Sequence, residues 1–458
     1  MPTIRYHGPK DATTRLWIDT LLMTFRHLLI LALAFVPGAF AQDATLKLTL
    51  HDAVRMALQQ NPLVILANLN VGQSTQDARL ARAGLLPQAG ATLGESVHRI
   101  NIDTAFGSSI PGFPQHIGPF YVFQTGVEFG GTVFDLTLWR RYRAAQAGVT
   151  ASRAQEMTVR EESVLLVVSQ YLGCQRAAAD VAAAHSRVEL AQALHDQASD
   201  LQKNGVGTGI DTLRANVQLQ NEKQRLILAQ TQLETSLFGL ARLLSIDPQR
   251  HIDIADQVEF FQTPEVSADQ TLTHAYSTRP ELRQIAAQQR QAELELQSSK
   301  DERLPKFSIN GAWLEQGLGP LSVIPVYQYE GDVRIPLFTG GRIQAARDKA
   351  DLAIRQIKQQ ELETRNRIAL EVKTAIARLD SARNEVNVAN LGIDLARQEV
   401  GQARDRFQAG VANNIEVITA QDELARANDN QIAALYRYNQ ARADLAHAAG
   451  QMEALYGK

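Results

Sequence analysis

The chain has 458 residues, a formal net charge of −3, 45% hydrophobic residues and only 6% aromatic ones. That balance points to long helices rich in Ala, Gln, Leu and Arg and away from a compact aromatic core. Lys and Arg are spread without a basic block, which argues against nucleic acid as a partner, and the single cysteine, Cys174, excludes a disulfide framework or a thiolate metal cluster. In its apolar, Ala-rich stretch Cys174 is expected to be a small buried residue.

Arg26 and His27 precede an apolar run from Leu28 to Val36, and Pro37-Gly38-Ala39-Phe40-Ala41 follows with small residues at Ala39 and Ala41. This is the pattern of a secretory signal peptide cut before Gln42, because the run falls well short of the ~20 apolar residues of a spanning helix. Met23 stands where such a signal would begin, so residues 1 to 22 are expected to be an over-extended start. No cysteine follows the cleavage site, and no lipid anchor is expected. No later stretch is long and apolar enough for a membrane helix, which leaves the periplasm, export beyond it, or an outer membrane entered by strands.

Asn61-Pro62-Leu63 opens a helical stretch that ends at Leu86-Pro87, and Arg279-Pro280-Glu281-Leu282 opens another that ends at Leu304-Pro305; the two prolines in each pair stand the same distance apart. Two segments of period two follow each. From Gln88 to His98, Gln88, Gly90, Thr92, Gly94, Ser96 and His98 alternate with Ala89, Ala91, Leu93 and Val97. From Tyr121 to Val133, Tyr121, Phe123, Val127, Phe129 and Val133 alternate with Gln124, Gly126, Glu128, Gly130 and Thr132. In the second half Phe307, Ile309 and Trp313 alternate with Lys306, Ser308 and Asn310, and Tyr327, Tyr329, Val333 and Ile335 with Gln328, Glu330, Asp332 and Arg334. A Gly/Pro/Ser-rich loop is expected between the first two segments, around Asp103 to Pro119.

Each pair of strands gives way to a proline-free stretch of helix formers, interrupted once by a turn: Asn204-Gly205-Val206-Gly207-Thr208-Gly209, and Ala409-Gly410-Val411-Ala412-Asn413-Asn414. The helices before them, Leu138 to Lys203 and Ile343 to Gln408, are about 66 residues each, or about 100 Å at ~1.5 Å per residue. The repeated order predicts a duplication: residues 1–41 as extension and signal, 42–246 as the first repeat, 247–269 as connector and 270–458 as the second repeat. The fold class is mainly α with membrane β.

The alternating segments reach the ~9–11 residues of a transmembrane strand. Four strands cannot close a barrel, and an open edge in lipid leaves backbone groups unsatisfied, so the chain must oligomerise to insert. Three copies supply twelve strands, with Glu128, Glu330, Asp332 and Arg334 facing a watery lumen. No metal-ligand spacing, nucleophile elbow or phosphate loop is present: Gly205-Val206-Gly207-Thr208-Gly209 follows a helix instead of a strand and lacks the Gly-Lys-Ser/Thr ending. Neither catalysis nor a cofactor or metal is expected.

Taken together, Leu50-His51-Asp52-Ala53-Val54, Ala57-Leu58, Asn61-Pro62, the Leu86-Pro87 strand entry, Ile335-Pro336-Leu337-Phe338-Thr339-Gly340-Gly341-Arg342, and Arg406-Phe407-Gln408-Ala409-Gly410-Val411 continuing through Ile415-Glu416-Val417-Ile418-Thr419-Ala420-Gln421 resemble the TolC family of outer-membrane efflux proteins, from about Leu46 to Leu455. The resemblance implies a duplicated TolC-like fold and a homotrimer, with a twelve-stranded barrel in outer-membrane lipid continuing into a long α-helical barrel across the periplasm. It also implies a periplasmic adaptor and an inner-membrane transporter as partners, in an efflux pump or a type I secretion system. Adaptor contact is then expected at Gly205, Val206, Gly410 and Val411. Asp211, Glu416 and Phe407 are expected at a periplasmic constriction, where three-fold symmetry turns each acid into a carboxylate ring; first-turn helix electrostatics is the plainer role for both acids. Phe407, Ala412 and Thr419 depart from the family's latch pattern, where a hydroxylated aromatic, a base and an acid occur, so opening is expected to depend on helix packing more than on salt bridges. The alternative is a soluble periplasmic coiled-coil adaptor or scaffold, which would share the signal and helices but lack the four strands.

Overall fold

The computed structural model describes residues 46–108, 111–256, 266–409, 411, 412 and 414–457; the expected signal peptide, residues 1–41, and Gly410 lie outside them. The chain divides into a unit Met1–Leu46 and a unit Lys47–Lys458, and the architecture below is that of the second.

Helix α1 (Leu50–Gln60) starts at Thr49, whose Oγ1 accepts the Asp52 amide, and α2 (Pro62–Ala83) starts at Asn61 with Pro62 in its first turn. Asn61 is buried because it has two tasks: Oδ1 accepts the Leu63 amide at 2.8 Å and Nδ2 donates to the Leu243 carbonyl at 2.9 Å. Strands β2 (Gln88–Asn101) and β3 (His116–Phe134) form a hairpin around the short helix α3 (Ile102–Phe106). The expected loop is therefore shorter than Asp103 to Pro119. Ile100 pairs with Ile117 beyond a register shift after His98, which lets β3 carry Pro119 without a full ladder.

The long helix α4 (Leu136–Lys203, 68 residues) is followed by α5 (Gly209–Leu244). Strand β4 (Ile252–Ile254) then pairs with β1 (Leu46–Leu48). The order recurs with α6 (Ala268–Thr278), α7 (Pro280–Asp301), β5 (Lys306–Gly317), β6 (Ile324–Arg334), α8 (Arg342–Gln408, 67 residues) and α9 (Asn414–Ala448), closed by α10 (Met452–Tyr456).

Small residues recur at heptad spacing on the buried face of α4: Thr137, Ala144, Ala151 and Thr158, then Ala177, Ala184, Ala191 and Ala198. On α8 the buried set Ile368, Val372, Ala375, Leu379, Ala382 and Val386 steps by three and four, and Ala434, Tyr438 and Ala441 of α9 pack against its later part. A seven-residue repeat of this kind keeps one seam facing its neighbour, and alanine lets the backbones approach closely at a shallow crossing angle. Midway along α4 the Tyr171 hydroxyl lies 2.9 Å from both the Leu48 carbonyl and the Asp256 carboxylate, which fastens the β1–β4 pair to the helix. Near the C-terminus Glu161 accepts the Met452 amide at 2.8 Å, and Arg160 pairs with Glu453.

Arg279, at the position in the second half that Asn61 holds in the first, is also buried. It donates to the His447 carbonyl at 2.9 Å and reaches Glu281 and Glu371 at 2.6 and 2.9 Å. Both residues tie the start of an early helix to the end of a late one.

Candidate functional site

The turn after α4 is a Schellman arrangement: the Gly205 amide bonds the Gln202 carbonyl and the Val206 amide the Leu201 carbonyl, each at 3.0 Å, with Gly205 at φ +76°. That φ is strained for any side chain. The second turn repeats the pattern, since the Val411 and Ala412 amides both reach the Arg406 carbonyl, at 3.0 and 3.3 Å, as Val206 and Gly207 reach Leu201. Val206 and Val411 are 78% and 70% exposed.

Asp211 accepts from the Thr208 hydroxyl in the first turn of α5, whereas Glu416 forms an ion pair with Arg406, Oε1 to Nε at 2.9 Å. A salt bridge therefore does brace the second turn. Phe407, expected at the constriction, is half-buried against the cluster of Leu194, Val400, Ala403, Val417 and Ala420, where α4, α8 and α9 meet. Its ring contributes to helix packing.

Sequence reasoning passed over a groove of 460 Å³ beside the turns, lined by Ile210, Leu213, Arg214, Val217 and Gln218 of α5 and by Ile415 and Ile418 of α9. It brings the two turns to one place, because Ile210 and Ile415 precede Asp211 and Glu416. The available signal was an isoleucine just before the acid in each half.

At the other end of the helices the sheet order is β2-β3-β5-β6, antiparallel throughout, with β2 and β6 each leaving one edge unpaired. The register puts residues of one parity on one face. Phe129 lies across Gly311, where an added Cβ would sit 2.4 Å from the ring, and packs at 6.1 Å from Tyr329; Trp313 and Tyr327 are 6.2 Å apart on the same odd-numbered face. The even-numbered face holds Glu128, Glu330, Asp332 and Arg334 together. It is hollowed by 480 Å³ between Gln88, Glu128, Asn310, Gln328 and Glu330. Asn310 donates to Asp332 at 3.4 Å, and Arg334 stands opposite Lys306 in the register. At the strand–helix junction Asp135 caps α4 and meets Lys306 at 3.0 Å; burial opposes its charge, but Lys306 and the Thr137 amide hold its carboxyl below the usual range.

No helix among the described residues is long and apolar enough to cross a membrane. Residues 53–245 and 271–451 match the family described as outer membrane efflux protein. The chain belongs to that family. The pyoverdine export outer membrane protein OpmQ of Pseudomonas aeruginosa is 23% identical over 396 residues, covering 83% of this chain and 80% of OpmQ. The alkaline protease secretion protein AprF of the same organism is 24% identical over 454 residues, covering 94% and 90%. Among solved structures, the Campylobacter jejuni CmeC outer membrane channel superposes with a TM-score of 0.77 at 18% identity, covering 88% of this chain and 85% of CmeC. VceC of Vibrio cholerae gives 0.73 at 17%, covering 88% and 96%. As a family member, this chain is an efflux protein of the outer membrane. Its TolC-like fold is mainly helical with some strands, as expected above.

Proposed function

We propose that three copies of this chain close a twelve-stranded barrel, β2 of each copy pairing with β6 of the next, and that their helices continue it as a duct through the periplasm. The two unpaired strand edges carry this reading, since a sheet with an apolar, aromatic face must satisfy those edges before it enters lipid. Exposed side chains along α5 (Ile227, Leu228, Phe238) and α8 (Leu362, Leu370, Leu391) support it, because neighbouring copies would cover them. Each copy contributes two repeats, 42–246 and 270–458, joined by 247–269.

In this assembly Glu128, Glu330, Asp332 and Arg334 face the barrel lumen, and Asp211 and Glu416 ring the periplasmic end, with Phe407 packed behind Glu416. Gly205, Val206, Gly410 and Val411, with the apolar groove beside them, dock on a periplasmic adaptor that joins the duct to an inner-membrane transporter. The relatives are named for two different cargoes, pyoverdine and alkaline protease. A generic wall whose cargo is chosen by the transporter accounts for both.

Native mass spectrometry of the protein extracted from outer membranes tests the assembly. Three copies are expected, as is a heat-modifiable trimer on gels. A monomer, or recovery in osmotic-shock fluid, would instead favour the soluble scaffold.

A further inference from the structure

Each half of the duplicated chain contributes one hairpin, and the two hairpins carry the same register. Pro87 stands just before β2 as Pro305 stands just before β5, and Val133-Phe134 ends β3 as Leu337-Phe338 follows β6. Counted from these anchors, Gln88 corresponds to Lys306 and Gly130 to Arg334. Gln88 pairs with Gly130 and Lys306 with Arg334; farther along, Ser96 meets Val122 where Leu314 meets Val326. The correspondence therefore runs along both hairpins, although the first has the longer connection between its strands.

Within the chain the halves are joined by β3 and β5, where Phe129 pairs with Gly311, Glu128 with Ala312 and Val127 with Trp313. A join between copies repeats that event, because the last strand of one half again meets the first strand of another. Strands that close a barrel share one tilt and one stagger, so equal repeats meet in equal registers. Carried through the anchors, the pairing of Phe129 with Gly311 becomes Val333 with Leu93, that of Glu128 with Ala312 becomes Asp332 with Gly94, and that of Val127 with Trp313 becomes Gly331 with Glu95.

We infer that neighbouring copies join with Val333 of one opposite Leu93 of the next and Asp332 opposite Gly94, a ladder that repeats the register of β3 on β5. The inference rests on the trimeric channel proposed above and fixes how its seams are paired. The side chains fit this ladder. It sets the exposed Tyr329 opposite the exposed Val97 and the exposed Val333 opposite the exposed Leu93, apolar pairs of the kind that stabilise antiparallel strands. Glu95, the one acid on the odd-numbered face of β2, then stands opposite Gly331, which has no side chain. A slip of two residues would put Glu95 opposite Val333 or Tyr329, and a slip of one would turn the polar row of β2 toward lipid.

Oxidative cross-linking of membranes carrying V333C/L93C, and separately D332C/G94C, tests the ladder. Directly opposed residues alternate between closer, non-hydrogen-bonded and wider, hydrogen-bonded pairs, so one of these two adjacent pairs has the geometry that a disulfide favours. A Cβ at Gly94 meets nothing within 4 Å, and the native Cys174 is buried and does not compete. At least one variant is expected to shift to a covalent, reducible trimer on denaturing gels. The slipped pairs V333C/A91C and V333C/E95C, whose Cα atoms would stand more than about 7 Å apart, should stay monomeric. Cross-linking of a slipped pair in preference, or of neither opposed pair in assembled trimers, overturns the register and leaves the trimer standing. If neither double variant assembles, coexpressed chains carrying the cysteines singly, V333C with L93C and D332C with G94C, decide by the same criterion, the shift being to a covalent dimer. Wild-type protein that yields no trimer on native mass spectrometry would overturn the trimer reading, and the ladder with it.

Discussion

Arg406 and Glu416 face each other across the turn that joins α8 to α9, Nε to Oε1 at 2.9 Å, so the acid of the second turn is matched by a cation while Asp211 in the first turn accepts from the Thr208 hydroxyl. The two acids occupy corresponding places in the first turns of α5 and α9 but contribute unequally to the local field.

Ion selectivity should follow that inequality. D211A is expected to lower the cation-over-anion permeability ratio, and R406A to raise it, each by about twofold, with R406A/E416A near the wild type. Reversal potentials in a salt gradient measure all three. Identical ratios throughout would remove these residues from the constriction. Because the pair is exposed, its loss should cost less than about 1 kcal/mol of stability.

Asn61 and Arg279 are expected to matter far more for stability. N61A removes the cap of α2 and leaves the Leu243 carbonyl without its donor, a loss of about 1–3 kcal/mol. R279A strands Glu281 and Glu371 near a vacated guanidinium site and should cost about 3 kcal/mol or more. Unfolding temperature by circular dichroism ranks them; an R279A protein as stable as the wild type would contradict the assigned role.

The alanine seam of α4 predicts intolerance to bulk. Ala184 is fully buried, and A184L is expected to destabilise the helical region by about 1–3 kcal/mol through overpacking. A leucine at the exposed Gln197 should be neutral by comparison, and limited proteolysis of the two variants separates the outcomes.

Acidification should weaken the region around α9. Burial, and then the Arg279 cation, hold His447 below its ordinary 6.5, with Glu371, Glu281 and Asp444 acting the other way. The unfolded chain takes up a proton near 6.5 that the folded chain refuses, so stability falls as pH drops through that value. Glu161 acts in the opposite sense. Burial raises its carboxyl above 4.5 despite the Met452 and Glu453 amides, so its contribution is present below 4.5 and fades as pH rises through the raised value. Thermal unfolding between about pH 7 and 5.5 should show a positive slope of stability with pH in the wild type and a flatter one in H447L. Equal slopes would exclude the histidine as the cause.

The sequence alone determined the element order, the two helices of nearly equal length, the turns that split them and the parity of the four strands. These are local properties: a proline-free run, a glycine that permits φ above zero, and an alternation of two each act on residues close in the chain. Tertiary structure decided what depends on neighbours remote in sequence. It gave Asn61 the Leu243 carbonyl and Arg279 the His447 carbonyl, turned Phe407 into the helix packing, and paired Glu416 with Arg406. Register, which no single strand contains, laid Phe129 across Gly311 and beside Tyr329, and set Glu128, Asn310 and Glu330 around one hollow of the sheet. Only the hydrogen-bonded ladder fixes which residues of different strands share a height.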